Sequence, residues 1–162
     1  MIVVSNTSPI INLAAIDKLN LLKELYEKII IPQAVYEEIT HKGAGQTGAD
    51  EVAQLDWLEV KQVTNRSTVQ ILEADLDIGE AETLVLAIEL NADLLLMDER
   101  KGRAVAGRLG IKHIGLLGLL IKAKHDGLIP AVQPVMDELM TKAGFWISDK
   151  LYTHILETAK ES

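Results

Sequence analysis

The sequence predicts an α/β fold in which a central parallel sheet is covered by helices on both faces. Two observations carry this. Short apolar runs of strand length recur at residues 2–4, 28–31, 94–97 and 111–114, and each leads into a stretch with helical periodicity. Strands that are apolar on both faces and separated by helices form a parallel sheet buried between two helical layers. The 162 residues are expected to form a single domain, 1–162, because no repeat, linker or low-complexity tract divides them. A chain of this size buries roughly 70% of its unfolded surface.

The elements follow in order. The strand at 2–4 runs into Asn6-Thr7-Ser8-Pro9, where Asn, Thr or Ser caps a helix whose first turn accepts proline. Apolar residues then recur at helical spacing through Ile10, Leu13 and Ala14, and again through Leu19, Leu22 and Leu25. The second strand, 28–31, is closed by Pro32, which starts a helix over 33–40. A glycine-rich loop at 43–48 and a short helix at 49–55 come next. Residues 57–63 alternate charged with apolar side chains, the pattern of an edge strand. Asp77 opens a helix through Leu90. The strand at 94–97 ends at Asp98, and a helix over 99–109 is ended by Gly110. A strand at 111–114 and helices over 116–124, 131–142 and 148–160 complete the chain.

Composition narrows the chemistry. There is no cysteine, which removes disulfides, thiolate metal sites and a cysteine nucleophile and is compatible with a reducing compartment. The first residues lack the pattern of a signal peptide, and no apolar stretch approaches the ~20 residues of a membrane span, so a cytosolic protein is expected. The net charge of −8 argues against a surface that is basic all round. One local strip is basic: between Arg100 and His125 lie seven Lys or Arg residues and no Asp or Glu. It is either a solvated helix face or a phosphate-binding surface. Gly43-x-Gly45-x-x-Gly48 matches a dinucleotide-binding pattern on paper, but it follows a helix rather than a strand. The four histidines are scattered without metal-ligand spacing, and no GxSxG elbow, Walker loop or strand-end Asp-x-Asp is present.

In parallel α/β sheets the functional crevice lies beyond the carboxyl ends of the strands. Asn6 and Asp98 each follow a strand directly, Glu80 opens the helix leading back to the strand that ends in Asp98, and Glu38 lies two turns into the helix after the second strand. Such an oxygen-rich set suits Mg²⁺ or Mn²⁺. Each residue also has a structural explanation. Asn6 or Asp98 could cap the helix that follows it, Asp77-x-x-Glu80 resembles a capping box, and Glu38 could sit on a solvated face. Arg103 and Lys101, one turn past Asp98, are candidates for gripping phosphates.

These residues fall within an ordered series of motifs. They are Val4-Ser5-Asn6-Thr7-Ser8-Pro9, Ile31-Pro32-x-x-Val35-x-x-Glu38-Ile39, and Leu76-Asp77-x-Gly79-Glu80-Ala81-Glu82 with Leu86-Ala87. Then come Leu94-Leu95-Leu96-Met97-Asp98-Glu99, Gly102-Arg103, Gly115-Leu116-Leu117-Gly118 and Gly144-Phe145-x-Ile147-Ser148. The series resembles the PIN-domain family, which includes VapC-type toxin ribonucleases, in the branch that starts with Ser-Asn/Asp-Thr-Ser-Pro. The resemblance covers nearly the whole chain.

It implies a three-layer α/β/α nuclease that holds Mg²⁺ or Mn²⁺ with a cluster of acids. By motif position the second acid is Glu38, the third Glu80 (with Glu82 one helical step away) and the fourth Asp98. The accompanying hydroxyl is Thr7 or Ser8, with Ser8, Lys101 and Arg103 toward RNA. The sequence departs from the family at Asn6, where most active members carry Asp. An Asn carbonyl ligates a hard metal but brings no charge. The implied function is a metal-dependent ribonuclease, the toxin of a toxin–antitoxin pair, acting as a homodimer and inhibited by a small antitoxin. The neutral Asn6 and the acidic chain keep a second reading open, a non-catalytic module binding RNA or protein. A third, an enzyme acting on a small phosphorylated metabolite, lacks a glycine loop after a strand to hold the phosphate.

Overall fold

The computed structural model describes residues 1–42, 51–52 and 54–161. The glycine-rich loop expected at 43–48 lies outside the described residues, as do residues 49, 50 and 53 of the short helix expected at 49–55; Glu51 and Val52 within it are helical. A five-stranded, all-parallel sheet has β1 (Val3–Ser5) at its centre, flanked by β2 (Ile29–Pro32) and β4 (Leu94–Leu96). The edges are β3 (Leu58–Lys61), next to β2, and β5 (His113–Ile114), next to β4.

Successive strand residues point to opposite faces, and here both faces are buried. Val3, Ile29, Ile31, Leu94 and Leu96 pack with α1 (Thr7–Ala15), α2 (Asn20–Tyr26), α7 (Leu116–His125) and α8 (Gln133–Lys142). Ile155, from α9 (Asp149–Thr158), joins that core. Val4, Ile30, Leu95 and Met97 face the other way, onto α4 (Arg66–Leu72), α5 (Ile78–Glu89) and α6 (Arg100–Arg108). The result is the expected three-layer α/β/α sandwich with two apolar seams. Each fully buried Leu or Ile in those seams contributes about 1.5–3 kcal/mol. Alternation predicted the edge position of β3, where only Leu58 is buried.

Two elements depart from expectation. The helix expected over 33–40 is α-helical only through α3 (Gln33–Glu37) and widens into a π turn at Glu38–Lys42. Such turns displace side chains from regular helical positions and recur at functional sites. Helix α4 has no counterpart in the sequence reading. Its Thr68, Val69 and Ile71 are β-branched and weaken the helical signal, but Asn65 caps it by accepting the Thr68 N–H at 3.1 Å.

Strand order decides where a site can form. From β1 the chain moves to β2 on one side, and from β4 it moves to β5 on the other. The helices that follow, α1 and α6, therefore leave on opposite faces, opening a crevice at the carboxyl ends of β1 and β4. Register aligns Ser5 with Leu96, so the residues just beyond these strands, Asn6 and Asp98, flank that crevice.

Candidate active site at the sheet switch point

Asn6 continues the ladder by donating its N–H to Leu96 O at 3.0 Å. Its backbone holds the N-cap position of α1, yet its side chain makes no capping hydrogen bond. The amide is 4% exposed and donates through Nδ2 to the Met97 Sδ at 3.4 Å, a weak acceptor. That orientation leaves Oδ1 on the crevice side. It lies 3.8 Å from the point where a Cβ on Gly79 would stand, while Glu38 Oε2 lies 2.9 Å and Asp77 Oδ1 3.4 Å from the same point. Oxygens from β1, the π turn and the start of α5 thus gather around a glycine that leaves them room. Among the described residues Glu38 makes no ion pair or side-chain hydrogen bond, so nothing there commits its carboxylate elsewhere.

Asp98 does not cap α6. It reaches across to α7, where Oδ1 accepts the Leu116 N–H at 2.7 Å. Its Oδ2 is buried and has no hydrogen-bond partner. Gly115 makes the close approach possible, because a Cβ there would stand 2.9 Å from Asp98 Oδ1 and 3.3 Å from Arg103 Nη1. Burial pushes the Asp98 carboxyl above its usual range, against the pull of the Leu116 N–H, the Arg103 guanidinium and the nearby Ser8 hydroxyl, which stands too far or too poorly aligned for a hydrogen bond to Oδ2, and Glu99 adds to the rise. A buried carboxylate oxygen without a donor is costly and calls for a proton or a cation.

Glu80 and Glu82 have separate surroundings. Glu80 completes a capping box: its Oε1 accepts the Asp77 N–H at 3.0 Å, and its own N–H donates to Asp77 Oδ1 at 2.8 Å. Burial still pushes its carboxyl up, aided by the like charges of Asp77 and Glu99 and opposed by the Asp77 N–H. Glu82 is 5% exposed and lines a cavity with Glu38, accepting the Ala34 N–H at 3.0 Å and pairing with Arg66 Nη1 at 2.7 Å. Glu82→Ala should therefore cost about 2 kcal/mol of stability, on the scale of a charged hydrogen bond. Glu80→Ala should cost about 1 kcal/mol, on the scale of a lost cap. Urea denaturation of both variants measures the difference, and equal costs would contradict these separate roles.

The basic strip divides into two parts. Arg100, Lys101 and Arg103 are exposed on α6, and Arg100 and Arg103 line the same cavity as Asp98 and Ser8. Lys122 and Lys124 instead pair with Asp126 and Glu161, each at 3.1 Å, so that end of the strip braces α7 and the C-terminal segment. Of the two candidate hydroxyls, Thr7 Oγ1 is buried without a partner, while Ser8 Oγ accepts from Asn12 Nδ2 at 2.9 Å. Asp77 and Glu99 also contribute charge here. The sequence offered Asp77 only as a cap, and Glu99 gave no signal beyond following Asp98.

The donor set suits a divalent cation chemically: hard oxygens, an orphaned carboxylate oxygen and carboxyls pushed up by burial and like charge. Among the described residues no three His, Asp or Glu side chains lie close enough together to hold one ion. The oxygens that would be offered to a cation fall in two groups, Asp98 Oδ2 beside Gly115 and Asn6 Oδ1 with Glu38 Oε2 around Gly79, and Mg²⁺ keeps several waters and takes one or two carboxylates directly.

A family model described as PIN domain matches residues 2–161, and PIN domains are generally nucleases that bind nucleic acid and typically use divalent metals. No curated protein matches the chain. No helix among the described residues is long and apolar enough to cross a membrane. With residues at both strand ends of the switch point and a match across almost its full length, the chain belongs to the PIN-domain family.

Proposed function

We propose that this protein is a metal-dependent ribonuclease, using Mg²⁺ or Mn²⁺, and the cytoplasmic toxin of a toxin–antitoxin pair. The single observation that best supports the reading is the buried, unpartnered Asp98 Oδ2 at the switch point, beside Arg103. Asp98, Asn6, Glu38 and Glu80 would hold the cation. When bound, a divalent cation neutralises phosphate charge and acidifies the attacking water. Arg103 offers a planar fork to the scissile or a flanking phosphate, and Ser8 and Lys101 extend that surface. Asp98 or Glu80 would orient the water, whose oxygen forms the new P–O bond as the bond to the leaving nucleoside oxygen breaks, the water giving up a proton to solvent and the leaving oxygen taking one from it. Homodimerisation and inhibition by a small antitoxin belong to the same reading, which the motif resemblance supports.

The chain should cleave single-stranded RNA with Mn²⁺ or Mg²⁺ and stop in EDTA, and millimolar Mn²⁺ should raise its Tm by relieving carboxylate repulsion. Cleavage assays and calorimetry check both. The second reading, a non-catalytic module binding RNA or protein, is favoured by the neutral Asn6 and the lack of three close acids among the described residues. RNA binding with neither cleavage nor a Mn²⁺ response would select it.

A further inference from the structure

A cavity of about 740 Å³ extends from Asp98 to the C-terminal helix α9. It joins two kinds of chemistry. Arg100, Arg103 and Ser8 bring charge and hydrogen-bond donors, while Phe145, Trp146 and Leu151 bring apolar and aromatic surface. Trp146 is the unusual member. It is 82% exposed, whereas the other tryptophan, Trp57, is 7% exposed and part of the core. Aromatics make up only 4% of the chain, so leaving the largest side chain in water is not the result of a surplus.

The segment carrying Trp146 is braced. Gly144 turns the chain with φ +68°, and the Phe145 N–H donates to Leu139 O at 2.9 Å. Phe145 packs against the core, Ile147 is buried, and Ser148 Oγ caps α9 by accepting the Leu151 N–H at 3.1 Å. Anchors on both sides thus hold Trp146 outward over the cavity. The alternation of Phe145, Trp146 and Ile147 produces this display, and it accounts for the tail motif that the metal site leaves unexplained.

We infer that Trp146 is a stacking platform for an unpaired base of single-stranded RNA whose adjoining phosphate lies on Arg100 and Arg103. This rests on the ribonuclease reading and assigns the residues that would hold one nucleotide of its substrate. A nucleotide combines an apolar π face with an anionic phosphate, and the cavity offers an aromatic surface beside two guanidinium groups. Its volume falls in the usual range for small-ligand sites. Base–aromatic stacking tolerates any base and contributes most where the base is free of a helix. Bases within a duplex stay stacked on one another, so the platform favours unpaired RNA.

The test measures anisotropy of a labelled single-stranded oligoribonucleotide in EDTA, with cleavage of the same oligomer in Mn²⁺ followed separately. Trp146→Ala should weaken binding about tenfold, Trp146→Phe should keep it within about threefold, and an abasic oligomer should bind wild type as weakly as the intact one binds Trp146→Ala. Trp146→Ala removes no charge and should leave the salt slope unchanged, whereas Arg103→Ala should flatten it by about one unit. Equal affinity of wild type and Trp146→Ala, or no penalty for the abasic oligomer, overturns the platform. So does a sedimentation result in which Trp146→Ala separates a dimer while RNA affinity holds, because the face then belongs to a second copy. Cleavage by wild type with no effect of Trp146 removes the platform and keeps the ribonuclease. Binding that depends on Trp146 without cleavage removes the ribonuclease and keeps the platform.

Discussion

Asp98→Asn should lower RNA cleavage by about a thousandfold, the scale on which one electrostatic group contributes to catalysis. The variant keeps the carbonyl that accepts the Leu116 N–H and loses the charge on the buried, unpartnered oxygen. Metal-free stability should therefore rise, with Tm higher by about 3 °C for each roughly 1 kcal/mol recovered. The Mn²⁺-induced stabilisation should shrink at the same time. The pH dependence has a definite sign. Burial raises the folded pKa of Asp98 above the unfolded value, so between the two values the folded chain holds the extra proton. Stability then falls as pH rises through that window and stays lower above it. In EDTA, acidification from neutral into the carboxylate range should stabilise wild type relative to Asp98→Asn, since contributions common to both chains cancel. Calorimetry across that range, paired with cleavage rates, is the measurement. A variant less stable than wild type at neutral pH without metal would show that the carboxylate serves the fold.

The positions of Asn6 and Asp98 were legible because each follows an apolar run that only a buried strand explains. The order of strands was not, since a parallel sheet of short apolar strands can be threaded in several ways with the same local pattern. That order makes the ends of β1 and β4 neighbours and brings two strand-end residues to the same edge of the sheet. The glycines at 79 and 115 were visible as motif members but not as cradles, because their roles depend on Glu38 and Asp98 arriving from other elements. The different surroundings of Glu80 and Glu82 were half legible. Residues two apart on an α-helix lie about 200° apart around its axis, so the two must meet different neighbours. The neighbours of Glu82 are Ala34 and Arg66, held by α3 and α4, and the local sequence does not announce either. The two readings of the basic strip stayed open in the sequence for the same reason. The partner of Lys124 is Glu161, thirty-seven residues later.

The departure at position 6 has a sharper test now that the side chain is placed. Asn6 Oδ1 looks toward Glu38 Oε2 and Asp77 Oδ1 around Gly79, so Asn6→Asp adds a negative charge where oxygens already gather. Without metal that charge is repelled by its neighbours and loses the weak donor to Met97 Sδ, so Tm should fall by a few degrees. With metal the balance reverses. Mg²⁺ affinity should tighten by about one to two orders of magnitude, because ligand charge is a main determinant of affinity at oxygen sites. Cleavage at limiting Mg²⁺ should rise by about tenfold in parallel. Asn6→Ala supplies the opposite arm. A capping Asn costs ~1 kcal/mol when removed, but this side chain makes no capping bond, so its loss should cost less than that while still weakening Mg²⁺ binding. Titration calorimetry with Mg²⁺, beside thermal melts in EDTA, separates the two roles. If Asn6→Ala costs a full cap and Asn6→Asp leaves Mg²⁺ affinity untouched, position 6 belongs to the helix. If wild type and Asn6→Asp are both inert on single-stranded RNA with Mg²⁺ and with Mn²⁺, charge at this position is not what limits the site. The non-catalytic binding module is then the reading that accounts for a PIN fold with a neutral Asn at the end of β1.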